Sequence, residues 1–198
     1  MRLLVFLAMS AGLLFAQKNT LTTDELKDGF ILMFDGESLK GWVPEMKAEW
    51  RVEDGNLVGD GGDYGWLRYE KSFSDFVLKC DYRVGPDGNS GIFLRSAKEG
   101  APHLTGYELQ IFNQHPKYPT GSLVGAIEAV PVSPAPDEWH SYVITAHGDH
   151  FLVQLDGDPV LDGHDGKSRA GFIGLQYNKG KKSEFRNLKV KSLGLRVK

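Results

Sequence analysis

From about residue 30 onward the chain is a succession of short alternating stretches cut by glycine-containing turns, and that rhythm confines it to a β fold. Asp54-Gly55 splits WRVE from NLVG, a two-residue hairpin signature. Gly148-Asp149 separates HSYVITAH from HFLVQLD, and Asp156-Gly157 and Lys179-Gly180 mark further turns. Between the turns lie FVLKCDYRV, SGIFLRS, GYELQIF, EWHSYVITA, FLVQLDG, AGFIGLQYN and EFRNLKVKSL. The chain carries 24 glycines, enough to supply such turns throughout. About a dozen short strands are predicted. Only TTDELKDGF reads as a helical turn. No internal repeat or low-complexity linker divides the chain, and SPAPDE before Trp139 is a loop inside one domain. The prediction is a single all-β domain, a sandwich or jelly roll.

Composition narrows the partners. A chain of 198 residues, 41% hydrophobic, can close one real core. A formal charge of −3 and the lack of any basic stripe remove the driving force for nucleic-acid binding. Residues 1–16, MRLLVFLAMSAGLLFA, place one Arg before an apolar run shorter than the roughly 20 residues a spanning helix needs. They read as a signal peptide, so an exported protein, periplasmic or secreted and without stable membrane insertion, is expected. Leu14 is larger than the residue usual three positions before such a cut, and an uncleaved membrane anchor is the other reading. The sole cysteine, Cys80, shares a strand face with Phe76, Leu78, Tyr82 and Val84, and is expected to be a small buried hydrophobe.

Alternation also sorts polar residues. Tyr107, Leu109 and Ile111 make the core face of GYELQIF, while Glu108, Gln110 and Phe112 share the other face. Likewise Gly91, Phe93 and Arg95 oppose Ile92 and Leu94, and Phe172, Gly174 and Gln176 oppose Ile173, Leu175 and Tyr177. Arg95, Glu108, Gln110 and Gln176 are the planar donors and acceptors that sugar hydroxyls require, and Trp66 offers a ring near the mouth of a groove. Pattern alone leaves two readings open: the solvated outside of a sheet, or the floor of a ligand site.

The ordered series FILMFDGESLKGW, WRVEDGNLVG, WLRYEKSFSDFVL, NSGIFLRS, GYELQI, TGSL, EWHSY, GLQYN and FRNLKV resembles the 3-keto-disaccharide hydrolase family over residues 28–193. The resemblance implies a concanavalin-A-like jelly roll of two antiparallel sheets, one of them forming a concave groove for a carbohydrate substrate. It also implies an exported bacterial protein. The implied chemistry starts from a glycoside oxidised to a ketone at C3. A base removes the acidified C2 proton, the enolate expels the C1 leaving group, and water adds to the enone. Such chemistry needs one base, donors at the enolate oxygen and hydroxyl-binding groups. Glu108 is the expected base and Arg95 the expected enolate stabiliser. Asn89, Gln110, Gln176, His140 and Trp66 are the expected substrate ligands. The structural alternatives are an ion pair with Arg95 or simple surface exposure for Glu108, a turn role for Asn89, satisfied polar groups on a sheet for Gln110 and Gln176, and an ordinary exposed or hydrogen-bonded histidine for His140, which is also the alternative base.

At Asn113, Val124 and Asn178 the chain departs from residue types common in the family, Asp, Tyr and His respectively. Strands lack an EXDXE-type cluster, which weakens an ordinary glucanase reading of the same fold. His147 and His150 flank a hairpin turn without fixed ligand spacing. Asp156, Asp158, Asp162 and Asp165 match no calcium loop. No metal site and no cofactor is expected, with divalent-cation assistance to the enolate left open. The rival functions are a non-catalytic lectin-like module with the same groove, and an interaction domain without a sugar ligand.

Overall fold

The computed structural model describes residues 18–194, so the leader expected at residues 1–16 lies outside the described residues. A short helix α1 (Thr23–Asp28) is followed by β1 (Ile31–Leu32), β2 (Trp42–Glu53), β3 (Asn56–Phe73), β4 (Phe76–Val84) and β5 (Ser90–Ser96). After α2 (Pro102–Thr105) come β6 (Tyr107–Ile111), β7 (His140–His147), β8 (His150–Leu155), β9 (Asp158–His164), β10 (Gly171–Tyr177) and β11 (Ser183–Ser192). The helical turn expected at the start is present. Its second counterpart, α2, is a four-residue turn that alternation could not announce, started by Pro102 and closed by the Gly106 N–H on the Pro102 carbonyl.

The strands pair in the order β6-β5-β10-β3-β11-β4-β7-β8-β9, with β1 added to β11 and β2 to β3. The jelly-roll sandwich is therefore one hydrogen-bonded sheet curled on itself rather than two separate ones. β3 makes the join: residues 57–59 pair with β11, whereas residues 65–73 pair with β10. The strand runs unbroken through the glycine-rich stretch GDGGDYG. Here the run is a bend inside a strand. Gly62 sits at φ +77, and a Cβ there would lie 2.0 Å from the Lys47 carbonyl oxygen, so only glycine fits. The Asp54-Gly55 hairpin is as expected, with both turn residues at positive φ (50° and 72°).

The halves of the curl enclose the core. Leu67, Ile92, Leu109 and Leu175 come from the β6-β5-β10-β3 half, and Leu78, Cys80, Tyr142, Phe151 and Phe185 from the other. Tyr107 meets Phe151 across the gap at 4.7 Å between ring centroids, and Tyr142 Oη donates to the Gln110 carbonyl at 3.2 Å. Cys80 is buried as expected, and burial holds its thiol well above its ordinary pKa.

Arg95 departs from its expected place. The β5–β10 register shifts between Phe172 and Gly174, leaving an extra residue on β5, and Arg95 takes a positive φ of 52°. That bulge reverses the alternation, so Arg95 leaves the face of Gly91 and Phe93. Its side chain is fully buried. Nε donates to the Ser74 carbonyl at 2.6 Å, Nη1 to the carbonyls of Gly148 (2.6 Å) and Ser168 (3.2 Å), and Nη2 to Asp75 Oδ1 at 3.0 Å. The guanidinium lies 5.2 Å from the Phe151 ring centroid. One cation thus ties three loops at one end of the sandwich.

At the N-terminal side, Thr22 and Glu25 form a capping box on α1. Glu25 also accepts from Lys79 Nζ (2.9 Å) and Lys189 Nζ (2.8 Å), pinning the helix to β4 and β11. Burial alone would raise its pKa. The hydrogen bonds from Lys189, the Thr22 backbone and Lys79 outweigh that and bring it down to about 2.

Two outcomes follow for stability. Arg95→Met strips a buried cation from three carbonyls and a carboxylate, and should cost about 3–5 kcal/mol in urea denaturation. For Glu25, the folded pKa lies below the unfolded value, so its contribution is complete above pH 4.5 and is lost as pH falls toward 2. Glu25→Gln should therefore narrow the difference in stability between pH 6 and pH 3, measured by thermal unfolding at both.

Candidate functional site

The open face of the β6-β5-β10-β3 half is set by pairing. Trp66 of β3 stands opposite Gln176 of β10, Gly174 of β10 opposite Phe93 of β5, and Phe93 opposite Glu108 of β6. Gly91 stands opposite Gln110. Cross-strand partners share a face, so these residues form one patch. The outer edge of β6 is covered by the following segment: the Gln110 N–H donates to the Ser122 carbonyl and the Val124 N–H to the Glu108 carbonyl. That cover helps to exclude water from Glu108, Gln110 and Gln176, all buried despite lying on the side away from the core.

Glycines let the side chains lean inward. A Cβ at Gly174 would fall 2.1 Å from Trp66 Cε3, so the indole lies across that glycine. Trp66 also meets Phe93 edge-on at 5.6 Å between centroids. It is 2% exposed and forms the floor, where the sequence suggested a ring near the mouth of the groove. On the other side Glu108 leans over Gly91. Gln176 Nε2 donates to Glu108 Oε1 at 2.9 Å.

The electrostatics follow from this enclosure. Burial raises the Glu108 carboxyl to about 7, and the hydrogen bond from Gln176 moderates the rise. The amide oxygens of Gln110 and Gln176 are buried without hydrogen-bond partners, so both amides offer acceptors to an incoming hydroxyl. Tyr64, two residues before Trp66, is the residue missed. Alternation puts it on the same face, and the rule applied to Glu108 would have found it. Burial and then the Glu108 charge raise its phenol, while a hydrogen bond with Gln176 acts the other way. At the rim Lys179 Nζ lies 3.6 Å from Asp63 Oδ2. Arg68 is held by Glu45 at 2.8 Å and lies 4.6 Å from the Phe172 ring centroid.

The predicted set is thus only partly brought together. Glu108, Gln110, Gln176 and Trp66 converge. Asn89 precedes β5 on the Gly91 face, half-buried. Arg95 is excluded by its bulge. His140 is excluded too, because it faces inward with Tyr142 on β7, with Nδ1 2.6 Å from Asp156 Oδ2 and Nε2 2.8 Å from the Ala135 carbonyl. It lines a separate cavity of about 370 Å³ at the end of the sandwich, with Tyr82, Phe112, Asn113 and Thr120. His150 and His164 stack at 4.4 Å, each beside an aspartate. Among the described residues, no three His, Cys, Asp or Glu side chains converge as metal ligands.

A lectin-like sandwich whose open face carries buried amides, a carboxyl and an aromatic floor defines a carbohydrate-directed domain. The chain belongs to the 3-keto-alpha-glucoside-1,2-lyase-like family, whose sequence profile matches residues 29–191. It is 27% identical over 194 residues to a 3-keto-disaccharide hydrolase of Bacteroides thetaiotaomicron, covering 81% of this chain and 67% of that protein. Among solved structures, a Parabacteroides distasonis protein provisionally named a glycosyl hydrolase superposes with a TM-score of 0.78 at 25% identity, over 90% of this chain and all of that one. A carbohydrate-binding module from Bacillus subtilis shares the fold with a TM-score of 0.63 at 22% identity, over 76% and 96% of the two chains. No helix among the described residues is long and apolar enough to cross a membrane.

Glu108 carries a stability cost that can be measured. Its folded pKa of about 7 exceeds the ordinary 4.5, so folding is favoured below pH 4.5 and the benefit disappears as pH rises through 7. Glu108→Gln should therefore be more stable than the wild type at pH 8, by as much as about 3 kcal/mol, with the gap closing by pH 5. Urea denaturation at the two pH values checks this.

Proposed function

We propose that the domain hydrolyses 3-keto-glycosides by elimination and rehydration, with Glu108 as the base. The carboxylate takes the C2 proton, C1–C2 becomes a double bond, and the C1–O bond breaks with the electron pair leaving on the aglycone oxygen, which is protonated. Water then adds across the enone to give the free 3-keto sugar. The observation that carries this is the Glu108 carboxyl buried on the open face and held by Gln176 at 2.9 Å, where burial, with no neighbouring carboxylate, pushes it up to about 7. A base matched to neutral pH is what proton abstraction next to a ketone requires. Ordinary glycosidases need two carboxyls at defined separation. With Arg95 committed to the loops, the Tyr64 phenol takes over as donor to the developing enolate oxygen, and the orphan oxygens of Gln110 and Gln176 accept sugar hydroxyls. Export through a leader at residues 1–16 belongs to the same proposal.

The unpartnered amide oxygens favour a second reading, a sugar-binding module without turnover. Incubating the purified protein with a 3-keto disaccharide separates the two. Release of the sugar or a transient enone absorbance is expected, falling about 10²–10⁴-fold in Glu108→Gln while sugar binding persists. Binding without turnover in the wild type supports the module instead. Turnover retained by Glu108→Gln removes the base from the scheme.

A further inference from the structure

The hydrogen bond between Gln176 and Glu108 joins strands that are not neighbours. β6 and β10 flank β5, so their backbones are separated by two strand spacings, about 10 Å. The link therefore passes over β5, and it does so at Gly91. A Cβ placed there would lie 2.9 Å from Glu108 Cγ, closer than such atoms approach, with tight contacts to Glu108 Oε1 at 3.0 Å and the Leu109 carbonyl oxygen at 3.1 Å. Any side chain at position 91 occupies the space through which the carboxylate reaches its partner. Gly91 has no positive φ, so the backbone does not demand glycine. The tightest contacts are with the Glu108 side chain.

We propose that Gly91 is a positioning residue for Glu108: its bare Cα is the saddle over which Gln176 holds Oε1, leaving Oε2 as the atom that accepts the substrate's proton. The choice of reacting oxygen rests on the elimination chemistry proposed above, whereas the saddle does not. The surroundings leave little else to orient the carboxyl. β5 presents Gly91 and Phe93, β10 presents Gln176, and β3 presents Tyr64, whose phenol is raised by burial and then by the Glu108 charge. Tyr64 itself ionises only above its ordinary value of 10, outside the range in which Glu108 titrates. An alanine at 91 meets the flexible Glu108 side chain before the Leu109 carbonyl oxygen at 3.1 Å, so the carboxylate is the group with the most room to move.

The test is a ¹³C NMR titration of the Glu108 carboxyl in the intact protein, without substrate. Wild type should titrate near 7. In Gly91→Ala the Gln176 donor is lost to the ionised form, and the midpoint should climb by roughly one pH unit. Gln176→Leu should produce the same rise, and Gly91→Ala added to it should produce no more. A midpoint unchanged in Gly91→Ala overturns the proposal. So does an equal further rise in the Gln176→Leu background, which would mean that the methyl acts by excluding water alone. Should the Gly91→Ala variant not fold, Gln176→Leu alone still decides the hydrogen bond's part, an unchanged midpoint refuting it. In turnover assays the acidic limb of kcat/KM should move with the midpoint in Gly91→Ala. If the wild type turns over no 3-keto sugar, the functional proposal fails while the titration still decides this one.

Discussion

One buried guanidinium holds the open end of the sandwich together. Arg95 reaches the β3–β4 turn through Ser74 and Asp75, the β7–β8 turn through Gly148, and the β9–β10 connection through Ser168. A cation so deeply buried is tolerable only because its donors meet three carbonyls and a carboxylate. The consequence extends to the candidate site. The bulge that turns Arg95 inward comes two residues after Phe93 and four after Gly91, which form the floor and the saddle. β5 is thereby anchored just beyond the stretch on which Glu108 and Gln176 rely. A loose β5 would let the carboxylate and amide drift apart, since β5 is the strand that lies between β6 and β10.

Polarity on the open face works against stability. Glu108, Gln110 and Gln176 are buried, and two amide oxygens among them lack partners. Buried polar groups without partners cost free energy that an apolar patch would not. Such costs concentrate where ligands bind, because a ligand's hydroxyls complete the unpaired groups. The fold carries them because the inner face is apolar without interruption from Leu67 through Ile92, Leu109 and Leu175.

Much of this was legible before any coordinates. Period-two alternation placed Glu108, Gln110 and Gln176 on one face, and the Asp-Gly turns placed the hairpins. Three features were not legible, each for a physical reason. Arg95 was misplaced because a bulge changes the parity of everything after it, and FLRS contains no glycine to mark a positive φ. Trp66 was expected at the mouth because alternation gives a face, not a depth. Its burial depends on Gly174, which is over one hundred residues away in sequence but two residues from its cross-strand partner Gln176. His140 was drawn to the site by its place in the EWHSY motif, yet it shares the inward face of β7 with Tyr142.

A single carboxyl without a cationic partner is the strongest constraint on what this site can do, because Glu45, opposite Trp66 on the same face, is tied to Arg68. An oxocarbenium ion at C1 needs a counter-charge on one side of the ring and an acid on the other, and a single buried carboxyl cannot supply both at once. Elimination beside a ketone has no such need. The acidity that permits it resides in the substrate's oxidised carbon, so the protein has only to supply a base matched to neutral pH and to orient it. Under the proposed elimination, a site with one poised carboxyl held by an amide across a bare glycine suits a sugar that a preceding oxidation has activated.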